Sequence, residues 1–238
     1  MLKRIILLTF FILSSFFLGG EPLVISTIEG SPISDICSRV LRDIYSQAGL
    51  ELIIEPMPAV RATIESTTGK IDGESHRVEA YGDIHRELLI IPLSYYSIDT
   101  NLFTQRGHPD TDKSLEDLGD YNFAILKGVK QSEELTSGLA QVMAFENSEM
   151  MIRFLMLGRA DFAILSRLHG MEIIKKLDAE NIIPVEPPLL KTYLFHYIHQ
   201  KHAHLIPLLE KTIREMRKSG ALEESIKRAE EEVTGKRW

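Results

Sequence analysis

Apolar and polar positions alternate between two periods along this chain. Residues 23–28 form a short β-rich run, closed by the turn Glu29-Gly30-Ser31-Pro32. Beyond it Ile33, Ile36, Cys37, Val40, Leu41, Ile44, Tyr45 and Ala48 recur every three or four residues, which predicts an amphipathic helix stopped by Gly49. Residues 50–55 read as the next strand, residues 59–68 as a second helix ending at Gly69, and Ile71 opens a third strand. A β-α-β-α-β order calls for a parallel sheet flanked by helices, with ligands at the carboxyl ends of its strands.

The same order returns after about residue 105. Ser114-Leu115-Glu116-Asp117 reads as a capped helical turn, 122–126 as a strand, and Gly128-Val129-Lys130 as a turn into a helix near 132–137. A strand at 141–145 precedes a helix capped by Ser148 and terminated by Gly158. Then come a strand at 161–165, a helix to residue 177 and a strand at 182–185. Two such blocks imply two similar lobes, although the residues themselves show no repeat. Pro184, Pro187 and Pro188 mark a break before a strand at 192–198. Helices at 203–218 and 221–232, separated by Gly220, are apolar on one face and carry no catalytic signature.

The first 20 residues behave differently. Lys3 and Arg4 precede an apolar stretch through Leu18 and the small pair Gly19-Gly20, the pattern of a secretory signal peptide. The stretch is shorter than the roughly 20 residues of a spanning helix. The expected mature chain, residues 21–238, is therefore periplasmic, and without Lys3 and Arg4 its net charge moves from -7 to -9. An acidic chain with scattered basic residues argues against a nucleic-acid partner. Cys37 is the sole cysteine, so no internal disulfide supports the fold.

Candidate chemistry concentrates in residues 69–96. Gly69-Lys70-Ile71-Asp72-Gly73-Glu74-Ser75-His76-Arg77 reads as a helix end, a short strand and a polar strand exit. Arg77, delivered just past the strand, has the planar fork that grips a carboxylate, and Arg61 at the start of the second helix is a further candidate. Strand alternation sends Glu74 and Ser75 to opposite faces and favours Ser75 as the companion of Arg77. Tyr95 and Tyr96 suit either ligand stacking or core packing. Asp72 and Asp161 read as turn formers. His196, His199, His202 and His204 are dense but lack the convergent spacing of a zinc site, so no metal and no cofactor is expected.

These residues resemble the family 3 solute-binding proteins, receptors of polar amino acid ABC transporters with the two-lobed type II periplasmic-binding fold. Arg61 through Asp72 is similar to the family's helix followed by "G-K-I-D", Leu88 through Tyr96 to its "F-S-x-P-Y" approach to the hinge, and Gly158-Arg159-Ala160-Asp161 to its "G-R-x-D". The resemblance implies an α/β fold of two lobes, each a mostly parallel sheet flanked by helices and joined by a hinge. Lobe 1 is expected from 21–103 and 190–238, and lobe 2 from 104–189. The departures set this chain in a divergent branch. Where the family places an aspartate for the ligand's ammonium, five residues after the "G-R-x-D" aspartate, this chain has Ser166. His76 and Arg77 stand where ligand hydroxyls are usual, Gly128-Val129 replaces glycine-threonine, and Arg86 lies two residues beyond the usual place of the gripping arginine.

The resulting expectation is a monomeric receptor for a small polar or anionic solute, bound by Arg77, Arg61, Ser75, Tyr96 and Ser166 and coupled to a membrane permease or a sensor kinase. Two alternatives stand beside it. One is a periplasmic dehydratase-like enzyme with Glu74 as a buried general acid, which rests on fold analogy; the other is a degenerate receptor that binds proteins.

Overall fold

The computed structural model describes residues 21–235. The predicted signal peptide lies outside the described residues. In chain order the elements are β1 (Leu23–Ile28), α1 (Pro32–Gln47), β2 (Leu52–Met57), α2 (Ala59–Thr67), β3 (Gly73–Arg77), α3 (Tyr81–Ile84), β4 (Leu88–Ile90) and β5 (Tyr96–Gln105). They continue as β6 (Phe123–Leu126), α4 (Lys130–Leu135), β7 (Val142–Phe145), α5 (Ser148–Met156), β8 (Phe162–Ser166), α6 (Arg167–Lys176), β9 (Ile182–Pro184), β10 (Leu190–His199), α7 (Ile206–Ser219) and α8 (Ala221–Thr234).

The strands follow the order β2-β1-β3-β10-β5-β8-β6-β7. Its two ends repeat one arrangement: β1 lies between its parallel neighbours β2 and β3, and β6 lies between its parallel neighbours β7 and β8. The long antiparallel pair β5 and β10 connects them. Residues 96–100 of β5 pair with 190–194 of β10, after which β5 joins β8 and β10 joins β3. Gln131, in the first turn of α4, accepts from Thr100 (2.9 Å) and donates to Thr192 (3.1 Å), so one side chain spans both connecting strands.

Each half has its own core. In the first, Ile36, Val40, Leu41, Ile44 and Tyr45 turn one face of α1 onto the sheet, with Leu209 and Ile213 of α7 beside them. Burying each such side chain contributes about 1.5–3 kcal/mol. In the second, Met151, Ile152 and Leu155 of α5 pack with Ile173 and Ile174 of α6 over Phe103, and Phe123, Phe162 and Leu118 fill the opposite face.

A hidden repeat lies in the turns before β3 and β8. Gly69 (φ +73°) and Gly158 (φ +63°) take the left-handed conformation that ends the preceding helix. Three residues later an aspartate accepts from a backbone N–H of the half's first strand or its approach: Asp72 from Val24 (2.7 Å), Asp161 from Asn122 (2.8 Å). The aspartates' own N–H groups donate to the carbonyls of the same two residues. Both are turn formers, as their place before the strands suggested.

Several boundaries differ from expectation, three of them for a definite local reason. The third strand starts at Gly73, not Ile71, because Asp72 is committed to this turn. α5 is capped by Asn147, whose side chain accepts from Met150 N–H, and Ser148 is its first residue. α7 starts at Ile206, preceded by a 3-10 segment over residues 200–205, because Pro207 has no N–H and belongs in a helix's first turn.

Candidate functional site

The strand exit at β3 is reshaped by a β-bulge. Arg77 pairs with Phe195 and Glu74 with Tyr197, so two residues of β3, Ser75 and His76, stand opposite the single residue His196. The extra residue reverses the alternation. Ser75 and His76 both face α1, while Glu74 and Arg77 both face α2 and α3. Arg77's companion is thus Glu74, and the alternation that favoured Ser75 does not survive the bulge.

On the α2 side Glu74 is 2% exposed and accepts from Ser66 Oγ (2.7 Å), Tyr81 Oη (2.6 Å) and Arg77 Nε. The Arg77 guanidinium also lies 4.7 Å from the centre of the Tyr81 ring, and its side chain is 16% exposed. The cation expected to meet a ligand therefore has an internal counter-ion and an aromatic platform. Burial, with Glu74 accepting its hydrogen bond, pushes the Tyr81 hydroxyl up to about 12. Arg61 is exposed on the outer face of α2 and pairs with Glu65 at 2.8 Å.

On the α1 side Ser75 Oγ donates to Thr27 Oγ1 (3.1 Å) and so accepts from His76 Nδ1 at 2.7 Å; His76 Nε2 meets Ser34 Oγ at 3.5 Å. Tyr95 Oη donates to the Ser75 carbonyl (2.8 Å). Behind the bulge, His196 Nδ1 donates to the Glu74 carbonyl at 2.9 Å, which leaves Nε2 to accept from Tyr45 Oη at 2.7 Å. Burial, with the Arg77 charge adding to it, lowers His76 to about 4; burial lowers His196 to about 4 as well. Both rings are neutral at physiological pH. His199 and His202 belong to a different surface, where His202 Nε2 meets Asp72 Oδ1 at 2.7 Å. Among the described residues no group of three potential metal ligands converges.

Tyr96 and Ser166 lie at the junction of the halves. Ser166 stands at the N-cap position of α6, without a side-chain capping bond, and pairs with Thr100 across β5 and β8. Tyr96 Oη donates to Glu230 Oε1 of α8 at 2.8 Å. Beside this bond is a cavity of ≈ 70 Å³ whose lining includes Ile33 of α1, Tyr96 and Asp99 of β5, Arg167, Leu168 and Met171 of α6, and Glu230. α1 leaves the carboxyl end of β1 and α6 that of β8, so the carboxyl ends of both parallel sheets converge on it. Glu230 and the α6 residues were not singled out in the sequence. The available signal is spacing: Glu230 follows Leu222 by eight residues and Ile226 by four, on the flank of the stripe that α8 packs inward.

The chain matches no protein-family model. An uncharacterized protein of Shewanella oneidensis is 25% identical over 190 residues, which are 75% of this chain and 69% of that protein. Among solved structures, the L-cystine solute receptor of Neisseria gonorrhoeae in its unliganded open conformation is similar with a TM-score of 0.73 at 15% identity, covering 91% of this chain and 93% of that one. A histidine kinase sensor domain with similarity to periplasmic binding proteins matches with a TM-score of 0.53 at 17% identity, over 86% of this chain and 94% of that domain. What these structures share with the chain is the fold. It is α/β, two-lobed and of the type II periplasmic-binding class, with β5 and β10 as the strands that connect the halves. Among the described residues no helix is long and apolar enough to cross a membrane.

Proposed function

We propose that this chain is an extracytoplasmic solute receptor that holds a small polar molecule between its lobes. Lobe 1 comprises 21–103 and 190–238, lobe 2 comprises 104–189, and residues 1–20 are a signal peptide removed on export. The observation that carries the reading is the position of the junction cavity: its lining comes from both lobes and from the hinge strand between them. A solute touching both sides favours the arrangement in which they approach, and closure becomes a ligand-driven shift of population. A permease or a sensor kinase would read that shift.

In this reading Tyr96 flanks the solute directly, and Ser166 stands immediately before Arg167 at the edge of the site. Arg77, Ser75 and Arg61 are not part of the cavity's lining: Arg77 and Ser75 are tied into the bulge, and Arg61 pairs with Glu65 on the outer face of α2. Because Glu74 neutralises Arg77 within the fold, the expected solute is polar without having to be anionic. Sequestration of Glu74 beneath α2 and α3 gives no support to an acid catalyst there.

A thermal-shift screen of the purified protein against carboxylates, amino acids, amines, oligopeptides and sugar acids tests the reading. A ligand selective for the folded state raises the melting temperature by mass action, about 2.7 kcal/mol at a hundredfold excess over Kd. A hit that does not depend on Tyr96, tested as Tyr96→Phe and Tyr96→Ala, argues against binding at the junction. A screen without any hit removes the receptor reading.

A further inference from the structure

The junction cavity has a definite chemical character. Ile33, Leu168 and Met171 give it apolar walls, and Glu230 gives it a half-buried carboxylate. Tyr96 holds one oxygen of that carboxylate, and Glu230 Oε2 has no hydrogen-bond partner among the described residues. Other charges around the cavity have partners of their own: Arg167 pairs with Glu186, and Asp99 with Lys191 at 3.4 Å. Glu230 makes no ion pair among the described residues. Burial raises its pKa, the Tyr96 hydrogen bond and the Arg167 charge pull it down, and the Asp99 charge raises it further.

Each class of ligand meets this lining differently. An anion would face the carboxylates of Glu230 and Asp99 and, as its one cation in the lining, Arg167, whose guanidinium is already paired with Glu186. A purely apolar molecule would strip water from Glu230 and return nothing to it. A protonated amine would give Oε2 a charge-assisted hydrogen bond and lay its carbon body against Leu168 and Met171. Glu230 and Tyr96 belong to lobe 1 and the two apolar residues to lobe 2, so such a molecule would bridge the lobes.

We infer that the junction cavity is a site for a small organic cation, a primary ammonium on a short aliphatic body, with Glu230 as its counter-ion and Tyr96 fixing the carboxylate. The inference rests on the receptor reading and names the solute class for it. It requires no carboxylate on the ligand, and it puts the recognising charge on the C-terminal helix α8, which the motifs between residues 58 and 96 left out.

The test uses n-butylammonium as probe, with butyrate and n-butanol as matched controls, followed by thermal unfolding and titration calorimetry at low ionic strength. Butylammonium is expected to raise the melting temperature in a saturable way, and the controls are not. Glu230→Gln keeps an acceptor for Tyr96 and removes the charge; it should weaken butylammonium at least about tenfold, the 1.4 kcal/mol that a lost charge-assisted bond readily costs. Met171→Trp, which fills the cavity from lobe 2, should abolish binding. Equal affinity in wild type and Glu230→Gln, butyrate binding as well as butylammonium, or no binding of butylammonium at all overturns the inference. If the broader screen then yields a hit of another class that is indifferent to Glu230→Gln, the receptor reading stands without this one; if it yields none, both fall.

Discussion

At the scale of single residues, backbone approach is decided by absent atoms. A Cβ on Gly73 would lie 2.2 Å from the Tyr197 carbonyl oxygen and 2.9 Å from the Ile198 Cα, both backbone atoms of β10 that cannot rotate away. Gly73→Ala should therefore force β3 and β10 apart and destabilise the protein by about 1–3 kcal/mol or more, as overpacking does. Urea unfolding checks this, and an unchanged midpoint would falsify the close approach. The need for glycine here was not legible in the sequence, because the atoms it must avoid lie more than 120 residues away. Arg77 illustrates the same limit. Its place at a strand end was readable from its neighbours; its pairing with Glu74 depends on a bulge whose partner strand contains His196. Turn chemistry, by contrast, is written within a few residues, and Gly69 and Gly158 both adopt the positive φ that their place after a helix implied.

At the scale of elements, the two aspartate clamps explain how chemically dissimilar halves reach one strand order. Neither half resembles the other in its core residues, yet each spends one carboxylate on the backbone beside the start of its first strand. Asp161→Ala leaves the Asn122 N–H and side-chain amide without this acceptor and should cost about 1–3 kcal/mol, the range for a lost bond to a charged group. Asp72→Ala should cost more, since Asp72 also meets His202 and, at 2.8 Å, Lys201. Chemical denaturation of both variants measures the difference; equal losses, or none for Asp161→Ala, would count against the clamps. Periodicity made most elements legible, because amphipathic helices carry their burial pattern along their own length. It did not reveal that α8 borders the junction of the halves. A terminal helix with one apolar face reads as a lid on a core, and only its packing against α1 and β5 brings Glu230 to the junction.

At the scale of the whole molecule, the two buried histidines tie lobe 1 to pH. His76 and His196 stand on adjoining strands at the bulge, and each is lowered from an ordinary value near 6.5 to about 4. Between those values the unfolded chain binds protons that the folded chain refuses, so stability is full above about pH 6.5 and falls as the pH drops toward 4. Each histidine contributes a slope of about 1.4 kcal/mol per pH unit in that window. Asp72 has the same sign at lower pH: burial raises its pKa, but Lys201, the Val24 N–H and His202 outweigh that and lower it, so its contribution is lost in stronger acid. Glu230 opposes the trend, because a raised carboxylate is relieved as the pH falls. Urea unfolding at pH 7, 5.5 and 4.5 should therefore give a steep loss in wild type, and His76→Gln should flatten it by about one proton's worth. A wild-type stability that stays level from pH 6.5 to 4.5 would mean that the rings accept protons without disturbing the bulge.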